Sequence, residues 1–578
     1  MTERYAPAGP VPHVPDDLTL VQFMLDSQHP TRPVRPDGVP WLIEDTTGRR
    51  VGSEEIRARV FGLANGLHSE FNIGEDDVVC LYSPNHIDYP VAIWATHRLG
   101  AIISGANPSY TAEELAYQIS LVKAKLLIVH PDSLQTAITA ANAAGISSDR
   151  IVLFDDGSTS GHRSRTVQRL IDDGLANPPS FVERRLKPGE AKAKLAFLSF
   201  SSGTTGRPKA VAIPHYAPIA NVIQMAMHHK ITVKSLPEDR RRFRPGDTAI
   251  LVLPMYHIYG LVVNLHLMLY AAVTPVVIPR FNYENMLKSI VKYRIVHLFL
   301  VPPQVVLLCK HPVTKKYDLS HVKFCMAGAA PVSKELTEDL VKILPNADVG
   351  QGYGMTETCT VIAMIPTEQK IGVLGSAGQL IPGVVARVVK ENGSLAKPGE
   401  LGELVVKSPS NALGYFNNIE ATKDSFIDGW VRTGDEVTID ENAELFVVDR
   451  LKEIMKVRGF QVAPAELEGH LLAHPDVADV CVVGISDEYS GEVPLAFIVP
   501  HENAVERMKD GPTEADKIKA SIAKHVADHK TSYKHLAGGV EFIDSIPKNP
   551  SGKLLRRVLR DKAKAMKKST AMTIKSKL

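Results

Sequence analysis

Phe200-Ser-Ser-Gly-Thr-Thr-Gly-Arg-Pro-Lys209 runs straight out of the apolar segment 195–200, which reads as a buried β-strand. Ser201, Ser202, Gly203, Thr204, Thr205 and Gly206 place four hydroxyls and two glycines in succession. Glycine permits tight turns and close backbone approach, so consecutive N–H groups can converge on one anion. The hydroxyls add donors, and Lys209 adds a point charge. This composition suits a polyphosphate cradle. It is not a Walker loop, because Gly203, Gly206 and Lys209 have the wrong spacing and no Ser or Thr follows the lysine.

Outward from this loop, short apolar runs alternate with helical periodicity. Strands are predicted at 78–82, 126–129, 249–253, 275–278 and 297–301, with helices at 89–99 and 133–144 among them. Such alternation predicts an α/β fold with parallel sheets covered by helices. The segment 155–194 reads as surface loops with one short helix. From about residue 375 the texture changes to short strands (386–389, 402–406, 445–448) punctuated by Gly, Pro and Asn, which marks a β-rich module. A compact α+β pattern follows, with strands at 480–483, 495–498 and 540–543 and a helix at 515–529. The chain divides into a Pro-rich N-terminal extension (1–40), a large domain (41–449), a small C-terminal domain (450–560) and a basic tail (561–578).

Three further clusters carry chemistry: a glycine-rich segment, a pair of segments around the domain boundary, and a lysine-bearing turn near the C-terminus. Gly350-Gln-Gly-Tyr-Gly-Met-Thr-Glu357 surrounds an aromatic ring with small residues, so that Tyr353 can lie flat on a purine. Thr356 offers a hydroxyl, and Glu357 a hard oxygen ligand suited to Mg²⁺. Trp430-Val-Arg-Thr-Gly-Asp435 supplies a carboxylate able to bridge two ribose hydroxyls. Asp449-Arg-Leu-Lys-Glu-Ile-Met-Lys-Val-Arg-Gly-Phe-Gln461 is dense in cations at the domain boundary, and Pro547-Lys-Asn-Pro-Ser-Gly-Lys553-Leu-Leu-Arg556 projects a lysine from a Gly-supported turn.

Composition excludes several classes. The 578 residues are 44% hydrophobic, ample for a large core. The five cysteines are scattered and odd in number, which argues against a disulfide framework or a zinc ribbon and fits a reducing compartment. The longest apolar stretch, 261–278, is broken by Asn264, His266, Thr274 and Pro275 and reads as a core helix followed by a core strand, not a membrane span. No secretory signal is expected at the proline-rich start. The net charge of +2 conceals an asymmetry: residues 551–578 hold ten Lys or Arg against one Asp, leaving about −7 on the remainder.

In this order, the four motifs identify the chain as resembling the adenylate-forming superfamily of acyl-CoA ligases, luciferases and peptide-synthetase adenylation domains, and it looks closest to the 4-coumarate–CoA ligase-like branch. Gly105-Ala-Asn-Pro-Ser-Tyr-Thr111, Leu253-Pro-Met-Tyr-His-Ile-Tyr259, Val301-Pro-Pro303, Ala327-Gly-Ala-Ala-Pro331 and Gln461-Val-Ala-Pro-Ala-Glu-Leu-Glu468 support the likeness. The resemblance implies a large N-terminal domain of stacked αβ layers plus a β-barrel, with a small mobile lid. It implies ATP, Mg²⁺ and coenzyme A, and a carboxylic acid activated as acyl-AMP and then passed to the thiol. Ser201 to Gly206 and Lys209 would hold the phosphates. Gly328, Ala329, Gly352, Tyr353, Gly354 and Met355 would surround the nucleotide, and Thr356 would contact the α-phosphate. Glu357 would orient the metal, while Asp435 and Arg450 hold the ribose. Lys452 matches the hinge, Lys456 and Gln461 lie near AMP, and Arg458 with Gly459 stands where pantetheine passes. Lys553 matches the lysine that serves adenylation, and His257, at the helix start that lines the acyl pocket, is a further catalytic candidate.

The resemblance also implies an acyl pocket of Ile258, Tyr259, Val262, Met326, Gly328, Thr360 and Val361. Val262 and Met326 replace an asparagine and a lysine common in coumarate ligases, so an apolar aryl or medium-chain acid is expected. Ser576-Lys-Leu578 matches the peroxisomal address read by an import receptor. The basic tail lacks any aromatic residue for base stacking, so nucleic acid is not an expected partner. Luciferase-like oxidation of the adenylate is the alternative enzymatic reading. A non-catalytic nucleotide-binding homologue is disfavoured by the intact Thr356, Glu357, Asp435 and Lys553.

Overall fold

The computed structural model describes the chain except residues 1, 2, 8, 156–164, 202–207, 234, 235, 238, 239, 452, 459, 488, 489, 549–553 and 576–578, and except the side chains of 5, 461 and 567–575. Two large sheets form the body. One has seven strands, in the order Gly414–Tyr415, Lys209–Pro214, Leu195–Ser201, Ile102–Ala106, Val78–Tyr82, Ala124–Val129 and Ile151–Leu153. Its last five strands are parallel. The other has nine strands, parallel through its centre and antiparallel where Asp348–Met355 meets Thr360–Met364. Side-chain alternation explains the layering. Val79 and Leu81 face the main core, whereas Val78, Cys80 and Tyr82 of the same strand face a second one beneath Ala112–Leu121. Covered on both faces, these strands read as continuous apolar runs, which is why they were legible as parallel strands.

A six-stranded sheet, antiparallel in each pairing, includes Val385–Val389, Gly402–Lys407, Trp430–Ile439 and Leu445–Arg450 and stands where the resemblance implied a barrel. Its outer strand is Glu3–Tyr5, paired on Val385–Arg387. The described part of the proline-rich stretch is therefore built into the body. Leu20, Val21, Phe23 and Met24 are fully buried, and the Leu20 N–H donates to His215 Nδ1 at 3.0 Å.

After Arg450 the chain builds a separate sheet from Met455–Val457, Phe460–Val462, Val477–Asp487, Gly491–Pro500 and Gly539–Phe542. Each face of this sheet has its own apolar cluster, one under Pro464–Leu471 and Pro512–His529, the other under Arg556–Lys575. A body with its own core can move as a unit. Among the described residues no helix is long and apolar enough to cross a membrane.

Candidate active site at the cleft between body and lid

The glycine-rich motif is a strand, Asp348–Met355, not a turn, and its glycines are contact requirements. A Cβ on Gly350 would lie 2.5 Å from the Ile365 side chain, and one on Gly352 would lie 3.0 Å from Met326 Sδ. At Gly354 the Cβ would fall 1.5 Å from the Thr360 carbonyl oxygen, which no side chain can survive. These close approaches bring Tyr353 to the strand's end, beside the six-stranded sheet. There its hydroxyl donates to Asp435 Oδ2 at 2.5 Å. Arg450 lies opposite Asp435 in the register of adjacent strands and pairs with Asp435 Oδ1 through Nε at 3.2 Å.

Electrostatics tie this trio to Glu357. Burial alone would lower the Arg450 pKa, but Asp435, Tyr353, Glu453 and Glu357 outweigh it and raise the pKa. Burial and then Asp435 push the Tyr353 phenol well above its usual range, so the ring stays neutral and donates. Glu357 is buried, and its Oε1 accepts from the Tyr415 hydroxyl at 2.8 Å. Lys209 Nζ lies 4.7 Å from the centre of the same Tyr415 ring. Tyr415 falls in none of the sequence motifs, and only the fold reveals that it joins the phosphate-loop lysine to Glu357.

Lys209 faces Ser201 across the hairpin Leu195–Ser201/Lys209–Pro214, so the two bracket the loop tip. Ser202, Gly203, Thr204, Thr205 and Gly206 lie outside the described residues, as do Lys452, Gly459, Lys553, Ser576, Lys577 and Leu578. Only the backbone of Gln461 is described, in the lid hairpin. Met355 and Thr356 are half-buried where the strand gives way to a short 3₁₀ turn.

Tyr353, Gly352, Gly354, Ala329, Asp435 and Arg450 open onto one cleft of about 510 Å³, bounded on the far side by lid residues including Glu468, Lys548 and Arg556. The lid docks through Lys310 Nζ, which donates to the Leu472 carbonyl at 3.0 Å, and through Asp449 Oδ2, which accepts from Ala465 N at 3.0 Å. Lys456 and Arg458 are exposed on the hairpin Met455–Val457/Phe460–Val462 and do not border this cleft.

The residues assigned to the acyl pocket form a neighbouring cluster. The Thr360 hydroxyl donates to the Ile258 carbonyl at 3.2 Å, and the Tyr259 hydroxyl to the Met326 carbonyl at 3.4 Å. A Cβ on Gly328 would lie 3.0 Å from the Tyr259 ring, so the two are in close contact. Val262 and Val361 are buried in the same core, and Met326 sits directly behind Gly352 of the cleft wall. Tyr259–Leu267 runs as a π-helix, a geometry frequent at functional sites. His257, half-buried just before it, accepts the Tyr259 N–H at Nδ1, 3.3 Å away.

Sequence reasoning quoted Glu468 and Arg556 without assigning them. Arg556 donates to Glu453 Oε2 at 2.7 Å and Glu468 Oε2 at 2.5 Å, with all three side chains about nine-tenths buried. The cluster joins the residue beyond the hinge, the lid helix Pro464–Leu471 and the start of the C-terminal helix.

The profile of the AMP-binding enzyme family matches residues 28–416, and that of its C-terminal domain matches residues 466–553. 4-Coumarate–CoA ligase 2 of Oryza sativa subsp. japonica is 35% identical over 542 residues, covering 92% of this chain and 90% of that protein. A probable 4-coumarate–CoA ligase 1 of Dictyostelium discoideum is 35% identical over 544 residues, covering 91% and 93%. Among solved structures, ATP-bound MatB from Rhodopseudomonas palustris superposes with a TM-score of 0.78 at 25% identity, covering 95% of this chain and 99% of that one. An anthranilate CoA ligase in complex with anthranoyl-AMP superposes with a TM-score of 0.79 at 22% identity, covering 96% and 98%, and shares the fold. With both of its domains matched in order, the chain belongs to the AMP-binding enzyme family.

Proposed function

We propose that the protein is an ATP-dependent acyl-CoA ligase that activates an apolar aryl or medium-chain carboxylic acid as its adenylate and transfers the acyl group to coenzyme A. The observation that carries this reading is the Tyr353–Asp435–Arg450 constellation in the body–lid cleft: an aromatic face for adenine, with a carboxylate held ready for ribose hydroxyls. In the first half-reaction a substrate carboxylate oxygen attacks the α-phosphorus of ATP, and pyrophosphate leaves. In the second, the thiol sulfur of coenzyme A attacks the acyl carbon, and AMP leaves with the electron pair of the broken C–O bond. The first step needs positioning and charge neutralisation more than covalent help. Lys209, Thr356 and Lys553 supply donors and charge for it, with His257 beside the carboxylate.

Glu357 fits Mg²⁺: it is buried, its Oε1 is oriented by Tyr415, and a carboxylate keeps further lone pairs for a hard cation. Bound there, the ion would neutralise phosphate charge. Pyrophosphate release against a panel of acids, with and without coenzyme A, tests the activity. Lys553→Ala is expected to abolish acyl-AMP formation while thioester formation from supplied acyl-AMP survives; equal loss of both would refute its role.

The acyl preference rests on Val262 and Met326, both buried and neither with a donor for a ring hydroxyl. Burying that hydroxyl unpaired costs about 1–3 kcal/mol. Cinnamate is therefore expected to exceed 4-coumarate in kcat/KM by roughly 5–150-fold, and a coumarate preference would sink the assignment.

We also propose import into peroxisomes through Ser576-Lys-Leu578. Deleting Leu578 from a fluorescent fusion should disperse a punctate signal, whereas unchanged puncta would refute the address.

A further inference from the structure

The lid carries a group of histidines that the nucleotide chemistry does not use. His525 and His529 stand four residues apart on the helix Pro512–His529, so their side chains share one face. His470 meets them from the helix Pro464–Leu471. The ring centroids of His470 and His525 are 4.3 Å apart, those of His470 and His529 5.2 Å, and those of His525 and His529 5.3 Å. One ring nitrogen from each of the three lies within 4.8 Å of the other two. Among the described residues, histidine–carboxylate pairs occur at His86, His130 and His297, and none involves this group.

Main-chain carbonyls fix where the ring protons sit. His470 Nε2 donates to the His525 carbonyl at 3.1 Å, and His525 Nε2 to the His470 carbonyl at 3.3 Å. His529 Nδ1 donates to the His525 carbonyl at 2.9 Å. A carbonyl only accepts, so each of these nitrogens carries the proton, and each neutral ring keeps a lone pair on its other nitrogen. Imidazoles that ligate metals are commonly oriented by such a carbonyl. His474 packs edge-on against His525, with centroids 5.3 Å apart and planes at 77°. Both of its nitrogens are engaged, one with Ser521 Oγ and one with the Asp476 N–H, so it buttresses the group without joining it.

We propose that His470, His525 and His529 bind one divalent transition ion of the Zn²⁺ class, with water completing the coordination. Imidazole nitrogen suits Zn²⁺, whereas Mg²⁺ and Ca²⁺ take oxygen ligands. Nitrogens bound about 2 Å from a tetrahedral ion stand about 3.4 Å apart, so modest rotation of the three rings closes the set. None of the three histidines borders the cleft, although Glu468, Gly469 and Leu472 of the same segment do. The ion therefore touches neither nucleotide nor acid, and it is distinct from Mg²⁺ at Glu357. It clips together the two helices that cover one face of the lid sheet, whose packing rests on Leu467, Leu471, Ile518, Ile522 and Val526.

The test uses tag-free, full-length protein stripped with a chelator, then titrated with Zn²⁺ in excess Mg²⁺ against a chromophoric competitor. One Zn²⁺ per chain is expected, with affinity falling at least about tenfold in both His529→Gln and His470→Gln. Co²⁺ in its place should give a spectrum free of thiolate charge-transfer bands, which sets the five cysteines aside. Zn²⁺ should also slow hydrogen exchange in Pro464–Leu471 and Pro512–His529 while leaving Val78–Tyr82 unchanged. Acid-dependent ATP–pyrophosphate exchange at the unaltered rate reports that each variant is folded. Zn²⁺ lost wholly to the competitor, undiminished affinity in either variant, or a thiolate spectrum overturns the site; binding that leaves exchange in the two helices unaltered overturns the clip.

Discussion

Gly354 shows what a single residue decides. With the Thr360 carbonyl 1.5 Å from where a Cβ would sit, Gly354→Ala must push apart the strands that present Tyr353 and the residues after it. Thr360 itself sits at φ 103°, outside the comfortable range for a β-branched residue, so the neighbouring backbone has little slack to give. The expected result is loss of acid-dependent pyrophosphate release together with a lowered melting temperature, checked by exchange assay and calorimetry. At Asp435, substitution by Asn keeps the shape but removes the charge that Arg450 and the Tyr353 hydroxyl share; KM for ATP is expected to rise at least tenfold with little change in melting temperature. Tyr353 and Asp435 were each legible as members of short motifs. Their contact was not, because it spans 82 residues and two sheets. Tyr415 had no motif to announce it, since a lone tyrosine reads like any other until strand pairing on Lys209–Pro214 brings its ring to Lys209.

Whole elements were legible where burial is two-sided. Strands 78–82, 297–300 and 195–201 announce themselves as apolar runs, and the structure returns them almost residue for residue. Elements failed to show where another constraint overrode propensity. Asp348–Met355 contains three glycines, normally poor strand formers; at Gly350 and Gly354 neighbouring residues approach too closely for anything larger. The lid's long strands Val477–Asp487 and Gly491–Pro500 showed only their apolar middles, since Asp479, Gly484, Ser486 and Asp487 in one and Gly491, Glu492 and Pro494 in the other interrupt the apolar run. Arg556 belongs to this scale, as it clips three elements of the lid together. Burial raises the Glu468 pKa despite the attraction of Arg556, so the carboxylate is sustained by its partner. Arg556→Gln would strand Glu453 and Glu468, at a cost of about 3–5 kcal/mol. Hydrogen exchange should therefore quicken in Val477–Asp487 and stay unchanged in Val78–Tyr82; uniform behaviour across both would contradict a lid-confined clip.

At the scale of the molecule, the body conceals a set of neutral histidines. Burial lowers the pKa of His97 to about 3 and those of His228 and His266 to about 4, from an ordinary 6.5. His215 and His229 are driven well below that ordinary value by the same cause. Below about pH 6.5 the unfolded chain takes up protons that the folded one refuses, so stability falls as pH drops from 6.5 towards 4. Thermal melts at successively lower pH should show a steep decline across that window, and a flat profile would contradict it. The two-domain architecture was legible from the cation-rich boundary near residue 450 and the compact α+β pattern that follows it. The incorporation of the first residues was not, because a three-residue strand rich in charge carries no periodicity. That strand has a consequence in time. Glu3 bonds Arg387, 384 residues downstream. At roughly 5–20 residues per second of synthesis, the first strand made waits on the order of 20–80 s for its partner to emerge. Through that interval the sheet edge it will cover does not yet exist, so the opening segment must stay soluble alone, a task for which its prolines and charges are suited.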